Sequence, residues 1–440
     1  MSWTLERNSR MPDSKVRRLL LFAYFYPPLG GPAVQRPCKT VKYLSEFGWE
    51  TDVITTGGIV YHSTDETLLD ECRHHRAIRT ASLDPMYLLE RLKKLLRIDT
   101  GRLYFGTGSA RKSLIKKLFP IDDKIGWLPF ALKAGRQALL TNRYHAVMVT
   151  CGPFSSALTA RRIARKGKLP LILDYRDHWT LNNTTDQPSG FAFRCLQKLE
   201  QRLLRDADLV LTATDFMKQD LLRRFGAELE PKILPYYNGW DEADFRNMHR
   251  QRQADGKLRI SYLGTLYGDR SLSFFLGALQ QFGTEHPPAD FELQMVGNFY
   301  PETHQEVESC GLKDKVTFIP QQSHASAIQM MLDSDILLLV IGDAKNKWIL
   351  TGKLFEYLRS QRPILALTAP DSEAAGILRS CGQNAICPID DIPAIKDCLA
   401  NLQDGIAKGN TLYKIPEQYE RSLQVKNLLD AITGLGVLSD

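Results

Sequence analysis

Gly352-Lys353-Leu354-Phe355-Glu356-Tyr357-Leu358, followed by Arg362-Pro363-Ile364-Leu365-Ala366-Leu367, is the stretch from which the rest of the chain is read. An unbroken apolar run, Ile336 to Ile341, precedes it and predicts a buried strand. A polar loop, Gly342 to Thr351, then leads into a helix start, and a second apolar strand follows at Pro363 to Leu367. Together these predict a βαβ unit whose loop lies at the carboxyl end of a strand. Open parallel sheets bind ligands at that edge, where a helix start offers unpaired backbone N–H groups and partial positive charge to an anion. Gly352, Lys353 and Leu354 form that start, and Lys353 adds a full charge. Glu356, one turn in, is ill suited to a phosphate but suits two ribose hydroxyls, because a carboxylate accepts two hydrogen bonds. The stretch therefore reads as a nucleotide-diphosphate site; the plainer alternative is a surface helix whose Lys and Glu are solvated.

KLFEYL, RPILAL and then Pro370-Asp371-Ser372-Glu373-Ala374-Ala375 resemble the donor-site segment of the glycosyltransferase family 4 enzymes. The resemblance implies an α/β architecture of the GT-B kind, with two Rossmann-like domains facing across a cleft and a C-terminal helix crossing back to the first. It also implies that Glu356 binds the ribose of a nucleotide sugar. Many members carry an earlier Glu that touches the transferred sugar; Trp348 stands at that position here, which leaves the sugar's identity open.

Length and composition agree with two domains. At 440 residues the chain exceeds what one core serves, and units of roughly 200 residues are expected. Hydrophobic residues at 43% and charged residues at 24% exclude disordered and collagen-like classes. Lys and Arg number 57 against 50 Asp and Glu, and the net charge of +7 favours anionic lipid or phosphate-bearing substrates without requiring them. No RNP-like, zinc-finger or basic-helix pattern accompanies the charge, so nucleic acid is not an expected partner. The eight cysteines, at 38, 72, 151, 195, 310, 381, 387 and 398, contain no Cys-x-x-Cys and do not pair with the nine histidines at metal-ligand spacing. Neither a metal nor a cofactor is expected beyond a nucleotide-diphosphate sugar as co-substrate. Scattered cysteines fit a reducing cytosol. Arg17-Arg18 ahead of LLLFAYF imitates a signal peptide, but the run is short and ends in Pro27-Pro28, so it reads as a first strand. No stretch approaches the ~20 apolar residues of a spanning helix. The expected location is the cytoplasm, with any membrane contact peripheral on the inner face.

Read in order, residues 1–15 are a polar tail and 16–245 an N-terminal Rossmann-like acceptor domain. Residues 246–257 are a linker, 258–415 a C-terminal nucleotide-sugar domain, and 416–440 a crossover helix and tail. The first domain opens with a strand, Arg18 to Phe25, and a Gly- and Pro-rich loop through Gly30 and Gly31; a helix, Ala33 to Phe47, and a strand, Glu50 to Thr55, follow. Glycine suits a loop whose N–H groups must approach a phosphate closely, although a tight strand-to-helix turn would use it equally. YFYPPLGGPAVQRP resembles the opening of the family 4 enzymes, where the Gly-Gly loop faces the donor diphosphate across the cleft. Arg36 is a candidate acceptor contact in the same segment. Residues 86–98 and 111–119 are basic and amphipathic, fit either for an anionic membrane surface or for ordinary solvated helices.

A strand at Leu169 to Tyr175 delivers Asp174-Tyr175-Arg176-Asp177-His178-Trp179 to its carboxyl end, where such a crowd of polar and aromatic groups points to function. The segment resembles the Asp-Phe-Arg-Asp-Pro-Trp motif of a family 4 subgroup, with Tyr for Phe and His for Pro. By that likeness it borders the acceptor and the reacting centre. Arg176 would hold an acceptor phosphate, Asp177 or His178 would orient or relay the acceptor proton, and Trp179 would contact the acceptor. A structural Arg–Asp pair is the alternative. Ile233 to Phe245 resembles the Pro-Asn-Gly signature that closes the family's first domain. In the second domain, GTLYGDRS resembles the family's phosphate loop, which makes Gly264, Thr265 and Arg270 donor-site candidates.

Two Asp-x-Asp matches, Asp206-Ala207-Asp208 and Asp333-Ser334-Asp335, fall at the amino edge of a strand and are rejected as metal ligands. What the family 4 resemblance implies is a retaining, metal-independent hexosyltransferase. It would move sugar from a nucleotide-diphosphate sugar to a glycan or polyprenyl-diphosphate-linked acceptor, in bacterial surface polysaccharide biosynthesis. The alternatives are a catalytically silent GT-B binding subunit and a nucleotide-sugar epimerase of the same fold.

Overall fold

Strands that are mostly apolar on both faces away from the sheet edges build two separate parallel sheets. The computed structural model describes residues 16–59, 61, 64–72, 75–84, 87–88, 91, 121–181, 190–252, 256–266, 271–285, 290–342, 347–409 and 413–436. The basic stretches at 86–98 and 111–119 fall outside the described residues except at Tyr87, Leu88 and Arg91. The chain divides into a first unit of Met1–Ala213, Met217–Tyr236 and Val425–Asp440 and a second of Thr214–Phe216 and Tyr237–Gln424.

The first unit's strands are β1 (Arg17–Phe22), β2 (Trp49–Thr56), β3 (Arg76–Thr80), β4 (Ala146–Cys151), β5 (Leu171–Tyr175), β6 (Leu209–Thr212) and β7 (Ile233–Pro235). They pair in the order β3-β2-β1-β4-β5-β6-β7, every neighbour parallel. Between them run α1 (Pro32–Glu46), α2 (Thr67–Glu71), α3 (Leu128–Thr141), α4 (Ser155–Gly167), α5 (Gly190–Asp206) and α6 (Asp215–Phe225). In the second unit, β8 (Leu258–Leu263), β9 (Phe291–Val296), β10 (Val316–Ile319), β11 (Ile336–Gly342), β12 (Ile364–Thr368) and β13 (Ile386–Cys387) are ordered β10-β9-β8-β11-β12-β13, again all parallel. The remaining helices are α7 (Glu242–Phe245), α8 (Ser273–Glu285), α9 (Pro301–Ser309), α10 (His324–Asp333), α11 (Gly352–Ser360), α12 (Glu373–Ser380), α13 (Ile392–Ala407) and α14 (Arg421–Gly434).

β11 shows why the sheet is buried on both sides. Successive side chains of a strand point to opposite faces. Ile336, Leu338 and Val340 accordingly enter one apolar cluster with Ile260, Phe275 and Leu365, while Leu337, Leu339 and Ile341 enter a second with Leu354, Phe355 and Ala366. In each sheet the strand order reverses next to the first strand, between β1 and β4 and between β8 and β11. Crevices for ligands form at such switch points, outside the carboxyl ends of the strands.

The two Asp-x-Asp segments do equivalent work at the opposite edge. Asp208 bonds β5 through its N–H to Leu171 O (2.9 Å) and through Oδ2 from Leu171 N (2.8 Å). Asp335 does the same with Arg259 of β8, at 2.9 and 2.8 Å. Both carboxylates serve to hold neighbouring strand ends together.

Several boundaries differ from the sequence reading. β1 stops at Phe22 and leaves Ala23–Phe25 to the loop. β3, the edge strand RAIRT, lacks an apolar run because much of it is exposed, and the sequence pattern did not predict it. The main segment of the second unit runs from Tyr237, and Trp240 and Phe245 are buried in its apolar cluster. Gly239, at φ +61, lets this segment pass close to Tyr419: a Cβ there would lie 2.1 Å from the Tyr419 carbonyl oxygen. The expected linker is docked as well, with the N–H groups of Gln251 and Arg252 donating to Asp333 Oδ1 at 2.7 and 2.9 Å.

Candidate functional site

In the second unit, the β8/β11 switch point gathers Gly264, Thr265, Gly297, Gly352, Lys353 and Glu356. Gly264 follows β8 at φ +120, a conformation side chains disfavour, and a Cβ on it would lie 2.5 Å from Lys353 Nζ. Its N–H donates to Val296 O at 2.7 Å, which fixes the turn. The loop and α11 are joined by Tyr357, whose buried hydroxyl accepts from Leu263 N at 3.1 Å. Lys353 Nζ lies 3.2 Å from Tyr262 Oη and 4.3 Å from the centre of that ring; Tyr262 in turn donates to Thr265 O at 3.2 Å. The ammonium is thus held over the glycine turn beside the α11 N-terminus. Leu354 is fully buried in the apolar cluster, so it offers a ligand only backbone. Arg270 lies outside the described residues.

Glu356 is half-buried, and its Oε1 lies 3.0 Å from His324 Nε2. The other ring nitrogen of His324 is 3.7 Å from Asp244 Oδ2. His324 opens α10 behind the cap of Ser323, and no local pattern around it announces a partnership with α11. A carboxylate held from one side by an imidazole keeps further lone pairs for hydroxyl donors. Glu373, in the same sequence motif, is otherwise engaged: its two oxygens accept from the N–H groups of Asp215 (2.8 Å) and Phe216 (3.0 Å). Burial raises its carboxyl above the ordinary value, against the pull of those two N–H groups.

In the first unit, the β1/β4 switch point lies between the Gly30–Gly31 loop and Gly152. Gly31, at φ +89, receives α1, and its carbonyl accepts from Val34 N and Gln35 N at 3.0 and 3.2 Å. Arg176 spans this crevice. Its Nη1 donates to Ala33 O at 3.0 Å, and a Cβ on Gly152, where φ is +102, would lie 2.9 Å from its Nη2. Asp177 is exposed next to it, Oδ2 3.5 Å from Arg176 Nε.

The other expected acceptor residues stand behind this front. Arg36 is 2% exposed and grips Asp174 with Nε (3.0 Å to Oδ1) and Nη2 (2.6 Å to Oδ1), while its guanidinium lies 4.5 Å above the Tyr236 ring. It ties α1 to the end of β5. His178 is 2% exposed, with Nε2 3.3 Å from Asp220 Oδ2 on α6. Burial pushes its pKa below 6.5, against the opposing pull of Asp220. Trp179 is buried and stacks on Phe154 at 4.9 Å with rings 5° from parallel. The structure therefore brings Gly31, Arg176 and Asp177 together and sets Arg36, His178 and Trp179 to supporting them. Buried partners that sequence reasoning missed include Glu200, which accepts from Tyr175 Oη at 2.7 Å beneath this loop.

Among the described residues, no group of three or more His, Cys, Asp or Glu side chains is arranged to hold a metal, and no helix is long and apolar enough to cross a membrane. Residues 31–236 match the family model described as a glycosyl transferase 4-like domain. No curated protein sequence matches the chain. Among solved structures, it resembles a glycosyltransferase from Rickettsia africae ESF-5, at 14% identity over 97% of this chain and 100% of that one, with a TM-score of 0.61. It resembles HepE of Anabaena, solved in complex with UDP and glucose, at 14% identity over 95% and 100%, TM-score 0.61. The sucrose-phosphate synthase of Thermosynechococcus elongatus is similar at 14% identity over 96% and 98%, TM-score 0.61. These likenesses establish the architecture, two Rossmann-like units of the GT-B kind.

Proposed function

We propose, from the premise that this chain is a glycosyltransferase with a glycosyl transferase 4-like domain and the GT-B fold, that it is a retaining enzyme whose second unit holds a nucleotide-diphosphate sugar. The observation that carries this reading is the Lys353 ammonium held at the Gly264 turn and the start of α11, with Glu356 one turn further on. A glycine turn, a helix N-terminus and a fixed cation supply neutralising charge for a diphosphate leaving group. Glu356 would take the ribose hydroxyls, its orientation fixed by His324. Gly352 and Thr265 would add backbone donors or acceptors, and Arg270 a second cation.

In the first unit, Arg176 and Asp177 are the groups positioned to meet an acceptor, Arg176 as a phosphate contact and Asp177 to orient the attacking hydroxyl. His178 would act through its neighbours, since its ring is buried against Asp220. Retention would follow if the hydroxyl attacks the face from which the diphosphate departs, with the leaving oxygen helping to take the proton. The acceptor class that fits a phosphate contact beside a hydroxyl-orienting carboxylate is a glycan on a polyprenyl diphosphate, met at the inner face of the membrane during bacterial surface polysaccharide assembly. Trp348 stands where many family 4 members carry a sugar-contacting Glu, which leaves the transferred sugar open.

A panel of nucleotide sugars screened by thermal stabilisation tests the donor, because a ligand that binds only the folded state raises stability by mass action. The donor found should then release nucleoside diphosphate in the presence of a lipid-linked acceptor, with the product's anomeric configuration unchanged. Donor binding without turnover would favour a binding subunit, and isomerised donor without transfer would favour an epimerase.

A further inference from the structure

Cys38 on α1 and Cys72 at the end of α2 are buried in the first unit with their sulfurs 2.7 Å apart. That is within about 1 Å of a disulfide bond length. The helices that carry them are already fixed to each other: Lys39 Nζ lies 2.7 Å from Glu71 Oε2, and Cys38 Sγ lies 3.6 Å from Leu68 O. Cys72 has polar company that a packing cysteine would not need. Tyr26 Oη lies 3.4 Å from its sulfur and also hydrogen-bonds His75 Nε2. A cavity of about 250 Å³, lined by Lys42, Ser45, Glu46, Asp70, Glu71 and His75, lies on the other side of His75 and Glu71.

We propose that Cys38 and Cys72 are a reversible dithiol–disulfide pair that locks α1 to α2 when the protein meets a hydroperoxide. The Cys72 thiolate attacks the terminal oxygen of the peroxide O–O bond, forming a sulfenic acid and releasing the other oxygen as alkoxide, or as hydroxide from hydrogen peroxide. The Cys38 sulfur then displaces hydroxide from the Cys72 sulfur, and the Cys38 proton leaves with it as water. Both electrons pass from the two sulfurs to the peroxide. The hydrogen bond from Cys38 pulls the Cys72 thiol below its ordinary value, with His75 and Tyr26 adding to the effect, which supplies the nucleophile for the first step. Through Tyr26 the pair adjoins the loop that carries Gly30 and Gly31, and α1 begins at that loop. Any effect on sugar transfer rests on the proposed function; the cross-link does not.

The test treats the full-length protein with hydrogen peroxide, blocks free thiols with N-ethylmaleimide in denaturant, and maps peptides without reductant. The expected product is a linked peptide pair holding Cys38 and Cys72, lost with dithiothreitol and absent from Cys72→Ser. Hydrogen exchange over Leu29 to Val34 should slow in the linked protein and recover on reduction. Recovery of Cys38 and Cys72 on separate peptides, at a dose that oxidises the exposed Cys195, would overturn the pair; a linked protein with unchanged exchange would overturn its coupling to the loop. Both readings are independent of donor binding and turnover.

Discussion

The Lys353 ammonium occupies the space that a side chain at residue 264 would need: a Cβ on Gly264 would lie 2.5 Å from both Nζ and Cε of Lys353. The glycine and the cation are therefore one device. Lys353→Ala should weaken nucleotide-sugar binding by about 1–3 kcal/mol, the range of a charge-assisted hydrogen bond. Gly264→Ala should do at least similar harm, by displacing the ammonium and by straining a turn held at φ +120. Titration calorimetry on the two variants reads both losses.

Glu356 is assigned to the ribose, so its loss should depend on the ribose hydroxyls. Glu356→Gln should weaken a ribonucleotide donor by about 1–3 kcal/mol while changing little for the 2′,3′-dideoxy analogue. Equal losses for both compounds would place Glu356 elsewhere. His324→Ala should give a smaller loss with the same dependence, since His324 acts by holding the carboxylate at 3.0 Å.

Arg36 and Asp174 are 2% and 1% exposed at their side chains. Breaking a buried pair from one side leaves the other charge without compensation, which costs about 3–5 kcal/mol. Arg36→Met should lower unfolding stability by that amount in urea, and the residual folded protein should keep its acceptor KM. A raised KM with unchanged stability would restore Arg36 to the acceptor site.

His178 is buried with its pKa held below 6.5, chiefly by desolvation. The unfolded chain therefore binds more protons than the folded one between that lowered value and 6.5. The stability linked to this group is fully present above 6.5 and is lost as pH falls through the folded value. His178→Gln should flatten the stability profile over that acid window, as measured by urea midpoints at a series of pH values. Asp177→Asn, by contrast, should reduce turnover while leaving donor affinity unchanged.

What could be read from the sequence were the features that are local. ILLLVI at Ile336–Ile341 and LLLF at Leu19–Phe22 announce strands covered on both faces, and Gly264 and Gly31 announce turns at positive φ. Lys353 and Glu356 share a helix, so their spacing alone puts them near one another. The partners that set the site's chemistry come from far along the chain: Arg36 with Asp174, Glu356 with His324, Leu263 with Tyr357, Cys38 with Cys72. No periodicity encodes those meetings, because the sheet order creates them. For the same reason the motif around Arg36, His178 and Trp179 does not reveal that all three side chains are buried.

Hydrogen exchange with and without a saturating nucleotide sugar, chosen as the most stabilising of a panel, tests the central assignment most directly. The account predicts slowed exchange in the second unit over Leu263–Leu266 and Thr351–Tyr357, needing a higher donor concentration in Lys353→Ala. Slowed exchange confined to other segments, with these two unchanged in the wild-type protein, would contradict it.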